Sequence, residues 1–126
     1  MTNKSANSQI DSKSNDSVAA IQQAVRNFRD ARDWRQFHSP KNLSMSIAIE
    51  AAELMEHFQW LTTQEAVELW QNNAEAKSAI TEELADVLIY CFSLADVLDC
   101  DISEIIFSKL AGNEQKYPAE KYRGKY

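Results

Sequence analysis

Leu43-Ser-Met-Ser-Ile-Ala-Ile-Glu50-Ala-Ala-Glu53-Leu-Met-Glu-His-Phe-Gln-Trp60 is an apolar run with no sustained alternation, and it predicts a helix over about 43–60. A second run reads the same way: Ala79-Ile-Thr-Glu-Glu83-Leu-Ala-Asp86-Val-Leu-Ile-Tyr-Cys-Phe-Ser-Leu-Ala95, within a helix from about 75 or 77 to 98. Each run carries two acids three residues apart, Glu50 with Glu53 and Glu83 with Asp86. At 100° per residue, Glu50, Glu53 and His57 share one sector of the first helix, flanked by Leu43, Ile47, Leu54 and Phe58 and by Ile49 and Trp60. Glu83, Asp86 and Tyr90 share a sector of the second, beside Val87 and Leu94 on one flank and Glu82 and Ile89 on the other. A carboxylate turned toward apolar surroundings loses its water, and neither run contains a Lys or Arg to compensate. A divalent cation is the simplest partner for four such acids. Oxygen ligands suit Mg²⁺, with Mn²⁺ as a substitute, better than zinc, and a hard ion on carboxylates often holds phosphate oxygens.

Working outward, Asp16 and Ser17 offer N-caps to a first helix whose apolar positions Val18, Ile21, Val25 and Phe28 step by three and four, to about Arg32. The segment 32–42 shows neither period, and Pro40 disfavours helix at the residue before it, so it reads as a loop carrying Trp34, Phe37 and His38. Thr62-Thr-Gln-Glu65 has the spacing of a capping box and opens a short helix to about Gln71. Asp101-Ile-Ser-Glu104 starts a last main helix that ends near Lys116, and Pro118 closes it. The expected fold is all-α, a four-helix bundle with one extra short helix. Residues 1–15 read as a disordered arm, 16–118 as the folded domain, and 119–126 as a loose polar tail.

With 126 residues the chain is one domain, and two Gly and two Pro leave few tight turns for a sheet-rich fold. A net charge of −6 argues against binding polymeric nucleic acid through a basic footprint, yet it leaves room for a small phosphorylated substrate held by a metal. Cys91 and Cys100 suit neither a zinc site nor a disulfide framework, and Cys91 is expected in the core. No apolar leader opens the chain and no run is long enough to span a membrane, so a soluble cytoplasmic protein is expected. A di-iron carboxylate bundle would want Glu-x-x-His on two helices, but the positions three residues after Glu50 and Glu83 are Glu53 and Asp86. A non-catalytic helical interaction module leaves the inward acids unexplained.

Several segments, in order, carry a family likeness: Arg32-Asp-Trp-Arg-Gln-Phe-His38, Glu50-x-x-Glu53, Phe58-Gln-Trp60, Glu82-Glu-Leu-Ala-Asp-Val-Leu-Ile-Tyr90 and Ser108-Lys-Leu with Lys116-Tyr-Pro118. Together they resemble the all-α nucleoside triphosphate pyrophosphohydrolases of the MazG-like superfamily, nearest the dCTP pyrophosphatase branch, over about residues 17–118. One departure is Ile49, where many members carry the first Glu of a doublet. The resemblance implies cleavage of a nucleoside triphosphate, dCTP or a related dNTP, between the α- and β-phosphorus, with pool cleansing as the role. Glu50, Glu53, Glu83 and Asp86 would then bind Mg²⁺, and Glu53 is the candidate to orient or deprotonate the attacking water. Trp34 and Trp60 match the branch's base-binding positions, and an indole face suits stacking on a nucleobase. His38 is a candidate to bond base or sugar. His57 is either a partner of the acids or a satisfied buried histidine, and Trp70 is read as structural. Lys109, Asn113 and Lys116 form a polar stripe on the last helix. By the likeness Lys109 and Asn113 would contact phosphates, with Tyr90 and Tyr117 adding hydroxyls. Homodimers or homotetramers, with clefts near subunit contacts, are expected.

Overall fold

The computed structural model describes residues 17–125; the arm expected over 1–15 lies outside the described residues. Helix α1, Val18–Asp30, begins where Ser17 Oγ accepts the Ala20 N–H at 3.1 Å. It ends before the expected Arg32, and Asp33 enters the left-handed region at φ 53° to turn the chain. Trp34–Phe37, read as loop, is a short 3₁₀ helix. Helix α2, Pro40–Glu56, starts three residues early for a physical reason. Pro40 sits at the first turn, where its missing N–H costs nothing, and Ser39 Oγ accepts the Asn42 N–H at 3.1 Å. It also ends before Trp60, because residues 57–60 tighten into turns.

Helix α3, Thr63–Asn72, opens on the capping box: Thr62 Oγ1 accepts the Glu65 N–H at 3.2 Å, and Glu65 Oε2 accepts the Thr62 N–H at 2.9 Å. Helix α4, Ala74–Val97, is capped by Asn73. It stops in a paired turn in which Cys100 N–H reaches Ala95 O and Asp99 N–H reaches Asp96 O, with Asp99 left-handed at φ 54°. Helix α5, Ile102–Lys116, is capped by Asp101 at 2.8 Å from the Glu104 N–H. The tail adds a one-turn helix, α6, Ala119–Tyr122, whose Tyr122 ring stands edge-on to Tyr117.

Helix α4 is the hub: α2 packs along it most extensively, and α1 and α3 each lean on it. A charged clasp ties α1 to α4, with Asp96 accepting from Arg26 at 2.6 Å and from Arg29 at 2.5 Å. Leu43, Ala95 and Ile102 are buried, and Ile102 seats the start of α5, which then has no comparably extensive contact with another element. The apolar runs are therefore only half covered within one copy. Ile49, Leu84, Leu88, Leu98, Ile105, Ile106, Phe107 and Leu110 are exposed. Cys91, expected in the core, is exposed as well, because it lies on the uncovered stripe of α4 with Leu84, Leu88 and Leu98. Both thiols are free. Among the described residues, no helix is long and apolar enough to cross a membrane.

Candidate active site

The α2–α4 seam brings the acids of the two runs together. Glu50, Glu83 and Asp86 each offer a carboxylate oxygen, and these oxygens all lie within 4.8 Å of one another. Glu50 and Glu83 are half-buried, and Oε2 of each is enclosed without a hydrogen-bond partner among the described residues. Asp86 is exposed, and so is Glu53, which stands outside the three-oxygen group but bears on both Glu50 and Glu83. The acids thus sit at the rim of a cleft rather than inside a closed helix pair, because the Ile49 side of α2 is uncovered.

The electrostatics express the crowding. Loss of water raises the Glu50 carboxyl to about 7, aided by a hydrogen bond and charge from Glu53 and by the charges of Asp86 and Glu83. Glu83 is raised by the same causes, desolvation first and then Glu53 and Asp86, while His57 pulls it back. His57 caps the C-terminus of α2, half-buried, with its ring 6.4 Å from that of Phe58. Carboxylates forced together, with enclosed oxygens lacking donors, fit a hard divalent cation: it would satisfy those oxygens and relieve the repulsion.

Beside the acids lies a cavity of about 230 Å³ lined by Val25, Phe28, Arg29, Trp34, His38, Asp86, Ile89, Tyr90 and Ser93. Asp86 belongs to both features, so the carboxylate cluster opens directly onto an aromatic cavity. Trp34 meets Phe28 edge-on at 5.7 Å between centroids, and the Arg32 guanidinium lies 3.6 Å above the Phe28 ring. His38 is half-buried, with Nδ1 enclosed and unpartnered among the described residues. Burial, then the charge of Arg29, hold its pKa below the usual imidazole range.

Other candidate residues are not gathered here within one copy. Trp60, in the turn after α2, is 86% exposed and does not line the cavity. Lys109 and Asn113 ride on α5 and Tyr117 follows its last residue; none of the three lines the cavity or joins the three-carboxylate group. On a helical wheel, however, Lys109 and Asn113 continue the face that Ile102 and Ile106 begin. Trp70 packs against Lys77 on α4, 5.8 Å from ring centroid to ammonium. Sequence reasoning missed Arg29 and Asp96. Arg29 sits one turn after Val25, on the apolar face of α1, and a cation on that stripe was the available signal.

The model of the MazG-like family matches residues 45–125. The chain belongs to that family. The MazG-like match takes in all four acids and α5, while Trp34 and His38 lie ahead of it. The chain is 41% identical over 98 residues to "dCTP pyrophosphatase 1" of Rattus norvegicus, covering 77% of this chain and 56% of that one. It is likewise 41% identical over 93 residues to "dCTP pyrophosphatase 1" of Homo sapiens, covering 73% of this chain and 54% of that one. The chain therefore spans little more than half the length of those relatives. Its fold also matches the crystal structure of a pyrophosphatase from Archaeoglobus fulgidus, with TM-score 0.72, 43% identity, and coverage of 78% of this chain and 89% of that one.

Proposed function

We propose that this MazG-like protein hydrolyses deoxynucleoside triphosphates, dCTP or a close relative foremost, to the monophosphate and pyrophosphate, cleansing the nucleotide pool. The observation that carries the reading is Asp86, shared between a cluster of carboxylates and an aromatic cavity. Such a junction lets one molecule put a phosphate chain at the acids and a ring in the cavity. The dCTP pyrophosphatase relatives and the pyrophosphatase of similar fold support the same chemistry.

Glu50, Glu53, Glu83 and Asp86 would hold Mg²⁺, with Mn²⁺ able to replace it. Bound there, the cation supplies positive charge to a triphosphate and acidifies water. Glu53, exposed at the rim beside Glu50 and Glu83, is assigned to orient and deprotonate the attacking water. The water's oxygen bonds to phosphorus, the bridge between α- and β-phosphorus breaks, and pyrophosphate departs. Trp34 would stack on the base, while His38 and Tyr90 would bond base or sugar from the cavity wall.

Lys109, Asn113 and Tyr117 would meet phosphates, and Trp60 the base, in an assembly of two or four copies. The uncovered stripes of α4 and α5 support that assembly: contiguous exposed apolar surface marks an association face. The free thiols suit a cytoplasmic setting. The test is incubation of the full chain with dCTP and Mg²⁺, separating products by chromatography. Equimolar dCMP and pyrophosphate are expected, lost in Glu53→Gln. Release of dCDP and phosphate, or no turnover of any dNTP, would sink the proposal.

A further inference from the structure

Asp86, Ile89, Tyr90 and Ser93 are the α4 residues that line the cavity. Their spacing puts them on one stripe, and at 100° per residue Ser93 falls between Ile89 and Asp86, inside that stripe. A helix turns its side chains outward, so Ser93 meets the cavity with its Cβ and hydroxyl. The residue is only 3% exposed, yet among the described residues no group bonds its hydroxyl. Other hydroxyls on these helices are satisfied locally: Ser44 and Thr81 each donate to a carbonyl three residues back, at 2.8 and 2.9 Å. The Ser93 oxygen does not, and it is not fully enclosed, unlike His38 Nδ1 or Arg29 Nη2. On a side chain so nearly buried, that opening is onto the cavity it lines.

We propose that Ser93 is a specificity-determining residue of the cavity, its hydroxyl accepting a hydrogen bond from the amino group at position 4 of a cytosine ring. This rests on the base-pocket reading above and deepens it. Asp86 marks the carboxylate end of the stripe, and Ser93 lies seven residues further on, about 10 Å along the helix axis. That is close to the reach from a nucleotide's α-phosphorus to the far edge of its pyrimidine, where cytosine carries its amino group. A cavity of about 230 Å³ falls just below the range of whole-ligand pockets, so it suits a single ring. Arg29, on the same cavity, is engaged by Asp30 and Asp96 and has no such opening. Val25, Phe28 and Ile89 offer no side-chain acceptor, so without Ser93 a buried amino group would go unbonded. A hydroxyl both accepts and donates, so it would serve a carbonyl at position 4 as well; the ring it rejects carries only hydrogen there. Losing a buried hydrogen bond with the wrong ring discriminates far better than shape. The indole of Trp34 stacks on any base, so this choice falls to Ser93.

The experiment compares kcat/KM for dCTP and for the triphosphate of 2-pyrimidinone deoxyriboside, which has hydrogen in place of the amino group, in the parent and in Ser93→Ala. Alanine suits a helix interior, so the variant keeps the fold. The parent favours dCTP. In Ser93→Ala the dCTP value falls about 3–10-fold, mainly through KM, the scale of one neutral hydrogen bond. The analogue's value changes little, so the preference shrinks by the same factor. An equal loss for both nucleotides would mark Ser93 as merely structural and overturn the proposal, as would an unchanged preference. Trp34→Ala separates the two levels. If it raises KM for both nucleotides while Ser93→Ala leaves the preference intact, only the Ser93 assignment falls. If it leaves KM unchanged for both, the base-pocket reading falls and takes this one with it.

Discussion

Glu50 on α2 and Glu83 on α4 meet across the helix seam, each with an enclosed carboxylate oxygen that no described donor reaches. Two such groups repel each other in the metal-free protein, and the fold tolerates them by keeping a proton. With Glu50 raised from 4.5 to about 7, the native state holds a proton between those values that the unfolded chain has released. Raising the pH through that window therefore removes native stability. In chelator the melting temperature should decline from pH 5 to pH 7.5, and Glu50→Gln should flatten the decline. A melting temperature that rises over this range in the parent would refute the argument.

The same proton competes with a cation. Below pH 7 the apparent Mg²⁺ affinity should increase with pH, approaching about tenfold per unit if Glu50 alone must release its proton. Calorimetric titration of the metal in buffers of different ionisation enthalpy would count the protons released. Asp86→Asn should cost more than about 10²-fold in turnover, because a metal ligand supports several kcal/mol of charge stabilisation. Near-parental turnover in that variant would remove Asp86 from the site.

How far this was legible in the sequence follows from what kind of signal each feature leaves. Helix starts were readable because the caps are local: Thr62 with Glu65 and Asp101 with Glu104 each act within one turn. The short helix at Trp34 was not, since a 3₁₀ turn bounded by a left-handed Asp33 shows no period. The acids could be placed on a shared sector of each helix, but their meeting depends on how α2 and α4 rotate against each other. The expectation that Cys91 lies in the core failed, and Ile49, on a flank of the acid sector, is exposed as well, because apolar periodicity does not say whether another element covers a residue. Arg29 was overlooked because one cation on an apolar stripe is unremarkable until Asp96 is seen across from it, 67 residues away.

That distant pair should dominate the response of the α1–α4 contact to mutation. Asp96 is held below the usual carboxylate range: burial would raise it, but the bonds and charges of Arg26 and Arg29 prevail. Asp96→Asn leaves the nearly inaccessible Arg29 without its main counter-charge, and a loss of about 3–5 kcal/mol is expected from urea unfolding. Asp30→Asn, at a half-exposed position, should cost less than about 1 kcal/mol. Equal effects of the two would mean that the clasp does not hold α1 in place.

Stacking in the cavity can be isolated from the chemistry at the acids. Trp34 is 43% exposed and stands edge-on to Phe28, so truncating it removes a cavity wall without emptying the core. Base–aromatic stacking of about 1–3 kcal/mol predicts that Trp34→Ala raises the nucleotide dissociation constant about 5–150-fold. Fluorescence or calorimetric binding of dCTP would read this. Unaltered affinity would exclude Trp34 from the base site.

The last prediction concerns α5, which places Phe107 71% exposed near Ile105, Ile106 and Leu110. An isolated chain gains nothing from that arrangement, whereas a second copy laid on it would bury the patch and bring Lys109 and Asn113 toward another copy's acids. Light scattering at micromolar concentration should therefore give two or four chains per particle. Phe107→Glu, adding a charge where no described element covers the ring, should yield monomers. Because the proposed phosphate contacts Lys109 and Asn113 would leave with the partner, kcat/KM for dCTP should fall by at least about tenfold, the scale of one charge-assisted hydrogen bond. A parent protein that is monomeric and fully active would instead mean that α5 folds back onto its own site.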